Sequence, residues 1–186
     1  MRCPWAEQSE IERNWHDLEW GRIVRDDRHL FELLTLKGAQ AGLAWRTVLS
    51  KRDAYRERFH DFDIAAVAAM GDDELEQAMH DRGIIRHRLK VASVRANARI
   101  VMAMAANGES LSSLLWSFTG GKTIVNAYAM QAEVPMRSPI SDAMSKELQR
   151  RGFRYAGTAI CYSLMQSAGM VNDHLASCDC HGRALR

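Results

Sequence analysis

Two side chains near the C-terminus and two near the N-terminus have the types that bind metal. In the stretch NDHLASCDC, His174 and Cys178 stand four residues apart, one turn if the segment is helical. Imidazole nitrogen and thiolate sulfur are favoured zinc ligands, but two of them do not close a site. The other end of the chain offers Cys3 and His16, and such a set would staple the two ends together. Cys180 and His181 compete for the same role. A second residue stands out in LTLKGAQAGLAW, where Leu30, Leu33 and Leu34 lie on a helical stripe that continues through position 37 to Ala41. The stripe calls for an apolar residue and holds Lys37. The ordinary reading is a lysine at the stripe's edge, with its stem buried and its head in water. The sharper reading is a lysine that lines a pocket and meets a ligand.

The elements that position these residues are helices. Ser9 is a possible N-cap for SEIERNWHDLEW, and DDRHLFELLTLKGAQAG forms a second helix ending near Gly38 or Gly42. The pattern continues from Trp45 to Phe59, then through DIAAVAAM, opened by Asp61 or Asp63, and DDELEQAMH. HRLKVASVRANARIVMAMAANG is the longest run, stopped by Asn107-Gly108, and a short helix covers Ser110 to Phe118. TGGKTIVNAYAMQAEVPMRSP is the least regular part and reads as an extended crossover. SDAMSKELQRRGF follows with Ser141 as N-cap, and YAGTAICYSLMQSAG is the last long helix. No strand pattern persists, so the fold class is all-α.

Composition excludes several classes. The 186 residues are 47% hydrophobic and 26% charged, as in ordinary globular domains. No apolar run approaches a membrane span, and MRCPWAEQSE lacks the apolar core of a signal peptide. A cytoplasmic protein is expected, with its four cysteines as thiols or metal ligands. Net charge is only +2, yet Arg82, Arg86, Arg88, Lys90, Arg95 and Arg99 crowd one segment, and Lys146, Arg150, Arg151 and Arg154 another. Such clusters hold phosphates or simply face water. The second cluster surrounds LQRRGFRYAGTAICY, where a helix ends at Gly152 and the next begins near Gly157-Thr158. A glycine permits the left-handed turn, and free N–H groups at the next helix start suit an anion. With Arg151 and Arg154 beside it, this is the specification of a hairpin that grips a DNA backbone without reading sequence.

RCPW, NWHDLEWG, QAGLAWRTVLSKR, GIIRHRLK, SDAMSKELQRRGF and GTAICYSLMQSAGMVNDH, with a cysteine four residues on, together resemble the 3-methyladenine DNA glycosylase I family of helix-hairpin-helix glycosylases. The resemblance runs in order from Cys3 to Cys178 and weakens only over residues 119–139. It implies an all-α, two-lobed fold in a single domain over residues 1–186. One lobe would come from both termini (roughly 1–25 and 119–186), and the other from the central helices (roughly 26–118). It also implies a structural Zn²⁺ on Cys3, His16, His174 and Cys178, and a base pocket built from Trp5, Trp15, Trp20 and Trp45. The implied activity is hydrolysis of the N-glycosidic bond of an alkylated purine such as N3-methyladenine. The implied partner is alkylated double-stranded DNA, with no membrane, and the expected state is a monomer. Two positions depart from the family: Trp15 stands where tyrosine is usual, and Lys37 where a glutamate contacts the base.

That second departure makes Lys37 the candidate catalytic, base-reading residue. A glycosylase must extrude its nucleotide to reach the glycosidic bond. Trp15 and Trp45 are expected to supply the faces of the slot, and Leu43, with Gln40 beside it, to plug the gap in the duplex. N3-methyladenine is cationic in DNA, so an aromatic cage and a carboxylate suit it. A lysine offers donors and no acceptor while charged. At ~4 Å from a cationic base it would cost on the order of 4 kcal/mol at an effective dielectric near 20. A neutral amine would weaken that objection. The sequence therefore points to a glycosylase with altered base preference or reduced activity. A non-catalytic lesion- or DNA-binding relative is the alternative.

Overall fold

The computed structural model describes residues 1–182. Among them are ten α-helices: α1 Glu10–Leu18, α2 Asp27–Gln40, α3 Trp45–Leu49, α4 Arg52–Arg58, α5 Ile64–Ala69, α6 Asp72–His80, α7 Arg88–Ala106, α8 Leu111–Ser117, α9 Pro139–Arg150 and α10 Thr158–Ser167. No helix among the described residues is long and apolar enough to cross a membrane.

α2 is the central element. Every residue from Leu30 to Ala39 on it is buried. Its start is capped by Asp26, whose carboxylate accepts from the His29 N–H at 2.8 Å. The neighbouring Asp27 reaches across to accept from the amides of Leu111 and Ser112 at the start of α8. At the far end Lys90, from α7, donates to the carbonyls of Ala39 and Ala41 at 2.8 and 2.7 Å. These carbonyls have no intrahelical partner, so the ammonium closes the helix end. α2 packs on α10, α7, α8 and α3, and through them it is surrounded.

Three expectations change. The helix expected from Trp45 to Phe59 is two, broken at Ser50-Lys51, where the Ser50 hydroxyl bonds the Thr47 carbonyl at 3.0 Å. Serine competes with the backbone in this way and breaks a run that apolar spacing alone would continue. The N-cap of α9 is Ser138, not Ser141. Ser138 accepts from the Ser141 N–H, Ser141 returns the bond to the Ser138 N–H, and Pro139 occupies the first helical position, where no N–H is needed. The crossover also contains a strand: β1 Ile124–Val125 pairs in parallel with β2 Val171–Asn172. Asn126 extends this contact, donating to the Asp173 carboxylate at 2.7 Å. The irregular segment is thereby fixed to the stretch that carries His174.

Candidate functional site

The four predicted metal-binding side chains meet. Cys3, His16, His174 and Cys178 are all buried and their ligand atoms form one cluster. His174 Nδ1 lies 3.2 Å from His16 Nε2, while Cys178 Sγ lies 3.5 Å from His16 Nε2 and 3.6 Å from His174 Nδ1. Cys3 Sγ is 3.8 Å from His174 Nδ1. The edges of a tetrahedron around a zinc-sized ion are about 3.3 Å between nitrogens and about 3.6 Å between nitrogen and sulfur, so the donors stand at coordinating spacing. Their outer partners fit as well. His16 Nδ1 bonds the Asp17 carboxylate at 2.8 Å, and His174 Nε2 meets the Trp20 carbonyl at 3.2 Å, which orients each ring toward the cluster. Both sulfurs accept backbone N–H groups, from Leu175 and Cys180. Burial pushes the Cys3 thiol up to about 12 and the His174 imidazole down to about 4. The imidazole is thus neutral, as a ligand must be, and a cation at the centre would reverse the thiol's preference. Cys180 falls in a second grouping with His16 and Asp17, and His181 in neither.

Against this cluster lies a cavity of about 250 Å³, which a single planar heterocycle can occupy. The four predicted tryptophans line it, but in two pairs. Trp5 and Trp20 meet edge to face at 5.0 Å, and Trp20 packs on His174 at 4.5 Å, so this pair joins the cavity to the cysteine–histidine cluster. Trp15 and Trp45 form the other pair, also edge to face, with centroids 5.4 Å apart. A base sandwiched between two faces needs roughly 7 Å, twice the ~3.5 Å contact distance. Trp15 and Trp45 therefore make a corner, not the two faces of a slot.

Lys37 is inside that corner. It is 4% exposed, and its Nζ stands 3.3 Å from the centroid of the Trp45 ring and 5.8 Å from that of Trp15. The snorkelling lysine is thus overturned. α2 is wrapped by its neighbours, and the end of the side chain turns into the aromatic corner of the cavity instead of reaching out to bulk water. Among the described residues Lys37 has no carboxylate at ion-pairing distance, and desolvation holds its pKa well below the ordinary lysine value. Behind Trp15 the charges are paired. Arg52 stacks 5.3 Å from its ring and binds Glu32 and Glu19. Burial alone would raise the Glu32 carboxyl, but hydrogen bonds from Arg52 and Arg56 outweigh it and leave the pKa below the usual range.

The sequence reading passed over the acidic residue of the cavity. Glu12 is 6% exposed and lines the same space. Its spacing from Ser9 reads as an ordinary capping box, which conceals it. The indole N–H groups of Trp15 and Trp45 are buried without partners among the described residues. Unsatisfied polar groups are rare in native interiors, so two on the walls of one cavity mark it as a place for a ligand.

Beside this cavity Lys37, Gln40, Leu43, Ala159 and Ile160 line a second one. Leu43 is 41% exposed at the turn after α2, where Gly42 has φ +79°. Across from it is the hairpin between α9 and α10. Gly152 takes φ +94°, which only glycine adopts freely, and Gly157 caps α10 with no side chain to satisfy its first amides. The buried amide of Asn97 bonds both the N–H and the carbonyl of Arg154, at 2.9 and 3.0 Å, and fixes the turn. A Cβ on Gly38 would lie 3.1 Å from that of Tyr155, so a glycine next to Lys37 seats the hairpin on α2. The two arginines differ. Arg154 is exposed and has no ion pair among the described residues, whereas Arg151 is held by Glu147 and Glu109. In the other basic segment Arg88 and Arg95 also face acids, and Arg99 bonds a carbonyl.

Comparison with known proteins gives a consistent result. The family model described as methyladenine glycosylase matches residues 5–181. The chain is 45% identical over 180 residues to DNA-3-methyladenine glycosylase 1 of Escherichia coli, covering 97% of this chain and 96% of that protein. A crystal structure of 3-methyladenine DNA glycosylase I superposes with a TM-score of 0.95 at 46% identity, covering 97% of this chain and 100% of that one. A structure of the Staphylococcus aureus enzyme concerned with 3-methyladenine recognition matches at a TM-score of 0.91 and 30% identity, covering 100% of this chain and 96% of that one.

Proposed function

Because the chain belongs to the methyladenine glycosylase family, we propose that it is a base-excision repair enzyme that hydrolyses the N-glycosidic bond of an alkylated purine in duplex DNA. The observation that carries this reading within the molecule is the heterocycle-sized cavity. It is walled by Trp15 and Trp45 and holds buried polar groups that lack partners.

The mechanism follows from these positions. The hairpin amides after Gly152 and at Gly157, with Arg154, hold phosphates and set the register of the duplex. Arg151 supports the turn through its acids rather than reaching DNA. Leu43 enters the duplex and Gln40 meets the neighbouring bases while the damaged nucleotide swings into the cavity. The alkylated purine packs into the tryptophan corner. Its positive charge already makes it a good leaving group, so the protein contributes mainly by holding the charged base out of water. Lys37 works against this. Its amine covers one face of Trp45 and offers the incoming cation no negative charge, which lowers the rate or shifts preference among alkylated bases.

In this reading the Cys3, His16, His174 and Cys178 cluster holds Zn²⁺. All four positions are taken by protein, so the ion's chemistry is structural: it ties the N-terminal segment to the C-terminal one and backs Trp20. The lobes then correspond roughly to residues 1–25 with 119–186 and to residues 26–118, with the cavity between them. A monomer in the cytoplasm suffices for such an activity.

The test is a mass-spectrometric survey of bases released from DNA treated with several alkylating agents. Time-dependent release of one or more free alkylated purines, leaving abasic sites, is expected. Tight binding to an abasic duplex with no base released would instead identify a non-catalytic relative.

A further inference from the structure

Glu12 is an unusual carboxylate. It is the third residue of α1, and the helix start reads Ser9-x-x-Glu12. In a capping box the glutamate would turn back to the Ser9 backbone N–H. Here only half of that box forms. The Ser9 hydroxyl accepts from the Glu12 N–H at 3.3 Å and donates to Glu12 Oε2 at 2.7 Å, so the carboxylate is held by a side chain and not spent on the backbone. Among the described residues Oε1 accepts no hydrogen bond. Among the described residues no arginine, lysine or histidine lies at ion-pairing distance, Lys37 included, although both residues line the same cavity. An isolated carboxylate buried to this degree is costly and is normally paired. A positive group delivered into the cavity would pair it.

The aromatic corner beside Glu12 suits a flat cation and offers no negative charge of its own. Position 37 contributes an amine. Among the described residues the only acidic side chain lining the cavity is Glu12, on a different helix from Lys37. We propose that Glu12 is the base-binding carboxylate of this enzyme, giving an extruded cationic purine the negative charge and hydrogen-bond acceptance that Lys37 does not. Glu12 thereby makes the cavity selective for cationic over neutral bases despite the buried lysine. The inference rests on the glycosylase reading for its substrate class, but its geometry stands apart from that reading.

The decisive probe is 3,9-dimethyladeninium, a permanent cation, with neutral 9-methyladenine as the control. Binding is followed by tryptophan fluorescence for the wild type, Glu12→Gln, Lys37→Glu and the double variant. Glutamine preserves the shape and the bond to Ser9, so melting should not move. Glu12→Gln should weaken the cation at least tenfold and leave the neutral base unchanged. Adding Lys37→Glu should return cation binding at least to the wild-type level. If Glu12→Gln binds the cation as the wild type does, or weakens both ligands equally, the proposal is overturned and Glu12 serves only the helix start. Release of N3-methyladenine from methylated DNA is measured alongside. Glu12-dependent cation binding without any base release would refute the glycosylase reading and leave this one standing.

Discussion

The Nζ atom of Lys37 lies 3.3 Å from the centre of the Trp45 ring, inside a cavity where no carboxylate of the described residues stands at ion-pairing distance from it. Two effects oppose each other there. The indole face favours a cation, by up to ~2 kcal/mol when desolvated. Removal from water disfavours it and holds the amine's pKa well below the ordinary lysine value.

Replacing Lys37 with methionine should therefore stabilise the fold, by about 1 kcal/mol at neutral pH, while changing the response to alkylated DNA. The gain should depend on pH. Because the folded pKa is lowered, the unfolded chain binds more protons between that value and ~10.4, and wild-type stability rises with pH through this window. Urea unfolding of both proteins from pH 6 to 10 should show their difference shrinking as pH rises. A constant difference would mean that Lys37 titrates normally.

The metal cluster predicts a second outcome. Purified protein should contain one equivalent of Zn²⁺, and a strong chelator should lower its melting temperature. His174→Ala should do the same and lose the metal, since the ion binds only the folded arrangement. A melting point unmoved by chelator, with no stoichiometric metal, would refute the assignment.

The hairpin arginines should separate. Arg154→Glu should weaken binding to an abasic duplex and reduce the salt slope of that affinity by about one unit or more. Arg151→Ala should act mainly on stability, because its partners are Glu147 and Glu109. Equal effects of the two on DNA binding would contradict the distinction.

Much of this was legible in the residues. The helices follow from apolar spacing and from caps such as Ser9, Asp63 and Ser110. The hairpin follows from Gly152 and Gly157, and the set of Cys3, His16, His174 and Cys178 from the family resemblance, since ligand type and spacing alone leave Cys180 and His181 as competitors. What was not legible depends on what surrounds each side chain. Lysines with water-exposed heads and buried lysines share one helical pattern, and only the packing on every side of α2 tells them apart. Glu12 is hidden by a more common motif, since Ser-x-x-Glu is read as a cap whether or not the carboxylate turns back. Trp15 and Trp45 carry no spacing that distinguishes a corner from a sandwich. Arg151 and Arg154 are indistinguishable until Glu109, forty-two residues away, is placed beside one of them.

The most direct test of the account is single-turnover release of N3-methyladenine from methylated duplex DNA, compared between the wild type and Lys37→Glu. The substitution frees the Trp45 face and adds a second negative charge near an extruded cation. It should raise the rate about tenfold, roughly 1.4 kcal/mol, over a slow but measurable wild-type rate. Wild-type release as fast as or faster than that of the variant would contradict the account, because the amine over Trp45 would then not oppose the base at all.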